Sequence, residues 1–193
     1  MKMKYNKGES GYLQEKQKRA WIYVILFAAV IAALLVAGVL IWGSNQNVLT
    51  VTAVVMVLPA ARFGVNLIML ASKKPSDAGV IRQTDEAAPD LMRLYDMVIG
   101  TSKKPVGTEA IVISDSALCI YETQKDTDTS FLADQVNNFL HGDSIFINVN
   151  VYTDRAKFMN RIAFLQQSLE TGGKKLREDR VGRIRNSLSA MCL

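Results

Sequence analysis

The chain carries one histidine, two cysteines and four prolines in 193 residues, and each scarcity closes off a class of chemistry. With His141 alone, no cluster of imidazoles can hold a transition metal, and a nucleophile would find one imidazole base at most. Cys119 and Cys192 stand far apart without a CxxC pair, so neither a disulfide framework nor a zinc site is expected. Cys192 is next to last, which excludes a CaaX prenylation signal. No P-loop, GxGxxG or GxSxG segment occurs, and there is no internal repeat or low-complexity tract. These absences weigh against an enzyme and imply no cofactor.

The most informative absence is local. WIYVILFAAVIAALLVAGVLIW, residues 21–42, contains no charged residue and has an aromatic at each end. At about 1.5 Å per residue it covers roughly 30 Å, the thickness of a bilayer core. A signal peptide would have a shorter apolar region and a small-residue cleavage site. The turn GSNQN, residues 43–47, is short and uncharged, so the apolar run over residues 48–71 is expected to return through the membrane as the second arm of a hairpin. Lys2, Lys4, Lys7, Lys16, Lys18 and Arg19 precede the first arm, and Lys73 and Lys74 follow the second. Positive-inside bias then predicts a multi-pass protein of the cell membrane with both termini in the cytoplasm.

The net charge of +5 sums parts of opposite character. Residues 1–21 hold six Lys/Arg against Glu9 and Glu15, residues 72–171 hold ten bases against fourteen acids, and residues 172–193 hold six bases against two acids. A nucleic-acid footprint needs a basic folded domain, and this one is acidic.

Within the hairpin two features stand out. Ala29, Ala33 and Ala37 are spaced by four and form one flat stripe, predicted to pack on the second helix, because small residues let backbones approach closely in lipid. Arg62 lies about ten residues, or roughly 15 Å, inside the cytoplasmic end of the second arm. Helical side chains lean toward the N-terminus, so Arg62 leans away from the basic face. Pro59 lacks an N–H and frees the carbonyl of Val55, and Asn66 lies one turn beyond Arg62. Pro59, Arg62 and Asn66 thus form a polar stripe within the bilayer. It is expected to meet water and lipid phosphate through local thinning, or else a second copy or another membrane partner.

SKKPSDAG, residues 72–79, reads as a linker, after which the periodicity becomes that of a soluble domain. Leu91, Leu94, Tyr95 and Val98 follow a helical period and Pro89 suits a first turn, which predicts a helix over residues 88–99. TEAIVISDSALCIYET predicts a β-hairpin about Ser114-Asp115-Ser116. Thr129 or Ser130 would cap a helix through Phe131, Leu132, Val136, Phe139 and Leu140. SIFINVNVYT alternates as a strand, and Thr153 or Asp154 would cap a helix through Phe158, Ile162, Leu165 and Leu169, closed by Gly172-Gly173. The fold class expected is α+β: an N-terminal transmembrane helical hairpin followed by a small cytoplasmic α/β sandwich, order αββαβα, with three strands. The divisions are residues 1–20, a basic N-terminus; 21–71, the hairpin; 72–79, the linker; 80–172, the domain; and 173–193, a basic amphipathic tail. In that tail Leu176, Val181, Ile184, Leu188 and Met191 can share one helical face, with Arg177, Arg180, Arg183 and Arg185 elsewhere around it, so the tail is expected either to pack on the domain as a final helix with a solvated basic face or to offer those arginines to anionic lipid or a partner.

Candidate chemistry in the domain is sparse. Asp126-Thr127-Asp128 has the DxD form that holds a metal in some sugar-nucleotide transferases, in a domain too small for a nucleotide-sugar fold. Asp115 at a hairpin turn, with Glu122 and Lys125 beyond it, is similar to restriction-type nucleases, whose αβββαβ core places acidic ligands and a lysine around a metal. Two residues separate Glu122 from Lys125, where that pattern requires one.

KGESGYL, before the first arm, and LTVTAVVMVLPAARFGVNLIML, through the second, resemble a family of uncharacterised membrane proteins of Firmicute bacteria with two transmembrane helices. The resemblance covers residues 4–75 and implies a bacterial cytoplasmic membrane; no activity comes with it. The reading is an integral membrane protein anchoring a small cytoplasmic binding or regulatory domain, with a membrane-tethered enzyme of degenerate nuclease type as its rival.

Overall fold

The computed structural model describes residues 5–42, 48–124, 127–172 and 176–192. The chain forms two compact units, one of residues 14–72 and one made of residues 1–13 with 73–193.

The first unit consists of two long apolar helices, α1 (Tyr12–Trp42, its first two residues belonging to the other unit) and α2 (Val48–Ala71). Both are long and apolar enough to cross a membrane, and little of either is covered by protein. Their contact includes Phe63 of α2, which stacks on Tyr23 and Phe27 of α1 at 5.5 and 5.3 Å. At one end Gln17 Nε2 donates to the carbonyl of Leu70, 2.7 Å away, and so satisfies a carbonyl that the end of α2 leaves open. Nearby, Arg19 pairs with Glu15 one turn earlier at 2.6 Å.

The second unit is a three-layer α/β/α domain on a four-stranded mixed sheet in the order β1-β2-β3-β4. Helix α3 (Ala78–Ala87) leads into β1 (Met92–Ile99), β2 (Val106–Ile113) and β3 (Ala117–Tyr121), which pair antiparallel as a meander. Helix α4 (Thr129–Gly142) crosses over to β4 (Asn148–Tyr152), which runs parallel to β3. Helices α5 (Arg155–Thr171) and α6 (Glu178–Met191) complete the unit. Ile111, Ile113, Leu118 and Ile120 face α4 and α6 on one side of the sheet. Ala110, Val112, Cys119 and Tyr121 face α3 and α5 on the other. Because β3 is covered on both faces, all five residues of ALCIY are buried, the continuous apolar run of an interior strand.

The expected helix over residues 88–99 is instead strand β1, and the sheet has four strands rather than three. At Asp96 a φ of 54° breaks the two-residue alternation. Leu94 and Met97 therefore turn to the same face, while Leu91 and Tyr95 turn to the other. With both faces buried, Leu91, Leu94, Tyr95 and Val98 are all apolar and together imitate a helical period. Pro89 follows the end of α3 instead of opening a helix, and α3 begins at Ala78, inside the segment read as linker. The order is thus αβββαβαα in place of αββαβα. The hairpin, α4, β4 and α5 lie where periodicity puts them, within a few residues. Helix α4 is capped one residue before the expected pair, by Asp128, which accepts from Phe131 N at 3.0 Å. Asp154 caps α5 as one of the two residues named for it.

Candidate functional site

Along α2, Pro59, Arg62 and Asn66 are all exposed and lie on one side of the helix, as the spacing requires. On α1, Ala29 and Ala33 are exposed and Ala37 is half-buried. The covered positions there are Val24, Phe27, Ile31, Leu34 and Gly38, so the contact runs along a neighbouring stripe that the two Phe63 ring stacks pass through.

In the α/β unit the nuclease pattern does not assemble. The order from α3 to β4 is αβββαβ, but Asp115 precedes β3 and Glu122 follows it, which places them roughly 20 Å apart at 3.3 Å per residue. Asp115 accepts from the Arg177 backbone N–H at 3.2 Å and lies 3.6 Å from its guanidinium. Lys125 and Asp126 lie outside the described residues. Of the DxD pair, Asp128 is a helix cap, its carboxyl held below the usual range by hydrogen bonds from Phe131 N and Ser130 Oγ. No group of three metal-ligating side chains converges among the described residues. Cys119 is fully buried, and burial pushes its thiol up to about 11, so it is not held as a thiolate.

Glu122 is a group whose setting the sequence does not announce. Its side chain is wholly buried; Oε2 accepts from Thr127 Oγ1 at 3.1 Å, while Oε1 has no hydrogen-bond partner. Burial raises its pKa, against that hydrogen bond and the charges of Lys104 and Lys73. Lys73 is itself buried and donates to Gln124 Oε1 at 3.2 Å.

A second unannounced centre is Asp96, buried in β1. Its carboxylate accepts the backbone N–H of Gly11 at 2.6 Å and that of Ser76 at 2.7 Å. The Ser76 hydroxyl donates to Glu109 O and accepts from Asp96 N, taking the place of a rung of the β1–β2 ladder. Around Gly11 the segment KGESGYL is stitched into the domain. Lys7 Nζ donates to the carbonyls of Ser189 and Cys192 at 3.0 Å each, at the end of α6. Gly8 O accepts from Tyr95 N at 2.8 Å, and Tyr12 and Leu13 are buried. Gly8 has a φ of 90° and lies so close to Leu94 that a Cβ would fall 2.5 Å from Cδ2, so only glycine fits. The sequence signal was present as two glycines three residues apart.

The tail forms α6, with Val181, Ile184 and Leu188 fully buried in the sheet face. Of its four arginines, Arg185 lies on the side of Glu9, whose carboxyl it helps to lower. Arg177, Arg180 and Arg183 converge on a cavity of about 440 Å³, closed on its other side by Ser144, Ile145 and Phe146 and carrying one acid, Asp179. The turn is preset: Ser144 has a φ of 59°, and Ser144 N and Ile145 N donate back to His141 O and Leu140 O. That aims the Phe146 carbonyl at Arg180 Nη2, 2.8 Å away, and leaves the Phe146 ring exposed against His141, with ring centroids 4.9 Å apart.

No family model, curated protein or solved structure matches the chain.

Proposed function

We propose that the chain is an integral protein of a bacterial cell membrane, in which α1 and α2 anchor the α+β unit at the cytoplasmic face and that unit serves binding or regulation. The observation that carries this reading is the outer surface of the two helices: Leu40, Val48, Leu58 and Ile68 are each more than 70% exposed, amid further exposed valines, leucines and isoleucines. A continuous apolar surface of that extent needs hydrocarbon or protein around it. The length and apolar composition of both helices, each enough to cross a bilayer, suit the former. The orientation rests on the basic residues on both sides of the hairpin, and the bacterial setting rests on the KGESGYL resemblance.

The test is a thiol introduced as Ser44→Cys, with the native Cys119 and Cys192 both buried. Membrane-impermeant maleimide added to intact cells should label Ser44→Cys and fail to label a thiol placed at Glu178. The reverse pattern would invert the orientation, and release of the chain by alkaline carbonate would remove the anchor.

The exposed stripe of Pro59, Arg62 and Asn66 supports a contact of the guanidinium with a second copy or another membrane protein, or with lipid phosphate. Arg62→Leu should separate them. A smaller assembly in mild detergent supports the protein partner, whereas unchanged assembly and insertion leave lipid as its neighbour.

The αβββαβ order is the one feature that favours a tethered nuclease-like enzyme, and the separation of Asp115 from Glu122 opposes it.

A further inference from the structure

We infer that the cavity between the Ser144–Phe146 turn and the start of α6 is a binding site for a phosphate group carried on an apolar or aromatic body. Three guanidinium groups line it, from Arg177, Arg180 and Arg183. Guanidinium presents planar pairs of N–H donors that match phosphate oxygens, and several of them around one opening repel each other until an anion enters. The charge balance within the site is incomplete. Asp179 is the only acid on its wall among the described residues, and its place in the first turn of α6 also answers the helix dipole. Asp115 engages Arg177 from outside the cavity at 3.6 Å. Among the described residues, Arg180 donates one N–H to the Phe146 carbonyl and Arg183 has no carboxylate within ion-pair distance.

Placement is as important as charge. Arg177 is the N-cap residue of α6 and Arg180 and Arg183 lie in its first turns, and the helix is fixed in the core by Val181, Ile184 and Leu188, so their backbones cannot drift apart. Facing them is a turn held by three backbone hydrogen bonds, those donated by Asp143, Ser144 and Ile145. A volume of about 440 Å³ is in the range of small-molecule sites and exceeds what a bare inorganic anion needs. At its mouth the Phe146 ring is 67% exposed and backed by His141. Such an aromatic lip has no folding role, and it offers a surface to the organic part of a phosphate ester. The chemistry is shared by two sources, a soluble phosphate ester and the headgroup of an anionic phospholipid.

The experiment titrates the full chain, in neutral detergent, with sodium pyrophosphate and separately with a short-chain phosphatidylglycerol, using calorimetry. Saturable binding of one equivalent of either probe is expected. It should weaken about tenfold in Arg183→Gln, the loss of a charge-assisted hydrogen bond, and fall as salt is raised. Arg183 makes no hydrogen bond in the described structure, so this variant should fold unchanged; Arg82→Gln, on α3, should bind as the parent does. Binding of pyrophosphate at least as tight as that of the lipid identifies a soluble phosphate source. Binding of the lipid alone, weakened by Phe146→Ser, identifies the headgroup. Failure of both probes to bind, or equal binding by parent, Arg183→Gln and Arg180→Gln, overturns the site. Either result leaves the anchor untouched, because labelling of Ser44→Cys reports the side of the membrane on which that thiol lies and does not require the cavity to bind anything.

Discussion

Asp96→Ala should destabilise the α/β unit by about 4 kcal/mol, a large part of the stability of a domain this size. The substitution removes two hydrogen bonds to a charged acceptor, each contributing about 1.5–3 kcal/mol, and strands the Gly11 and Ser76 amides. It also places alanine at a φ of 54°, where a residue with a Cβ and no short polar side chain is strained by about 1 kcal/mol. Asp96→Asn tolerates that conformation and keeps one acceptor oxygen, so it should fall midway between parent and alanine. Chemical unfolding of the three proteins in detergent gives the ranking. Amide hydrogen exchange gives the cause: exchange at Gly11 and Ser76 should accelerate in Asp96→Ala, while Ile111 and Ile120 in the interior strands stay protected. Unchanged exchange at both amides would show that the carboxylate does not hold them.

The second large effect concerns α6. Leu188→Ala should lower stability by about 3 kcal/mol, as for other wholly buried leucines that leave a cavity, and ending the chain at Arg177 should abolish cooperative unfolding. The helix shares with α4 the cover of one face of the sheet and is tied at its far end by Lys7, by the Gly100 N–H to Met191 O, and by the bridge between Ile99 and Cys192. An amphipathic helix resting on lipid would instead be lost with little effect on the domain. A sharp, parent-like unfolding transition in the shortened protein would therefore remove α6 from the core.

These two regions also mark where sequence reading succeeds and where it stops. The apolar arms are legible as long uncharged or nearly uncharged runs, the β2–β3 hairpin as two β-rich runs about a turn, and α4, α5 and the inward face of α6 by their 3.6-residue period. Strand β1 is not legible, because it is buried on both faces, so that Leu91 and Tyr95 on one and Leu94 on the other together give a false helical spacing. The segment KGESGYL has no period at all, and its role depends on partners as distant as Cys192. For the cavity, the interval of three between Arg177, Arg180 and Arg183 is visible in the sequence. Its other wall, Ser144–Phe146, is brought there only by tertiary packing.

Asp96 holds Gly11, which comes before the apolar hairpin, and Ser76, which comes after it. In terms of assembly, the hairpin is an excursion made from within a domain whose first strand-side contacts are synthesised before it and whose last are synthesised with α6. Gly11 must wait for a residue 85 positions later, and Lys7 for residues 182 and 185 positions later. The ribosome therefore delivers both arms, and has them committed to their surroundings, before the globule can shut. Its final closing step waits for α6, and until then the sheet face that α6 helps to cover depends on whatever meets it first.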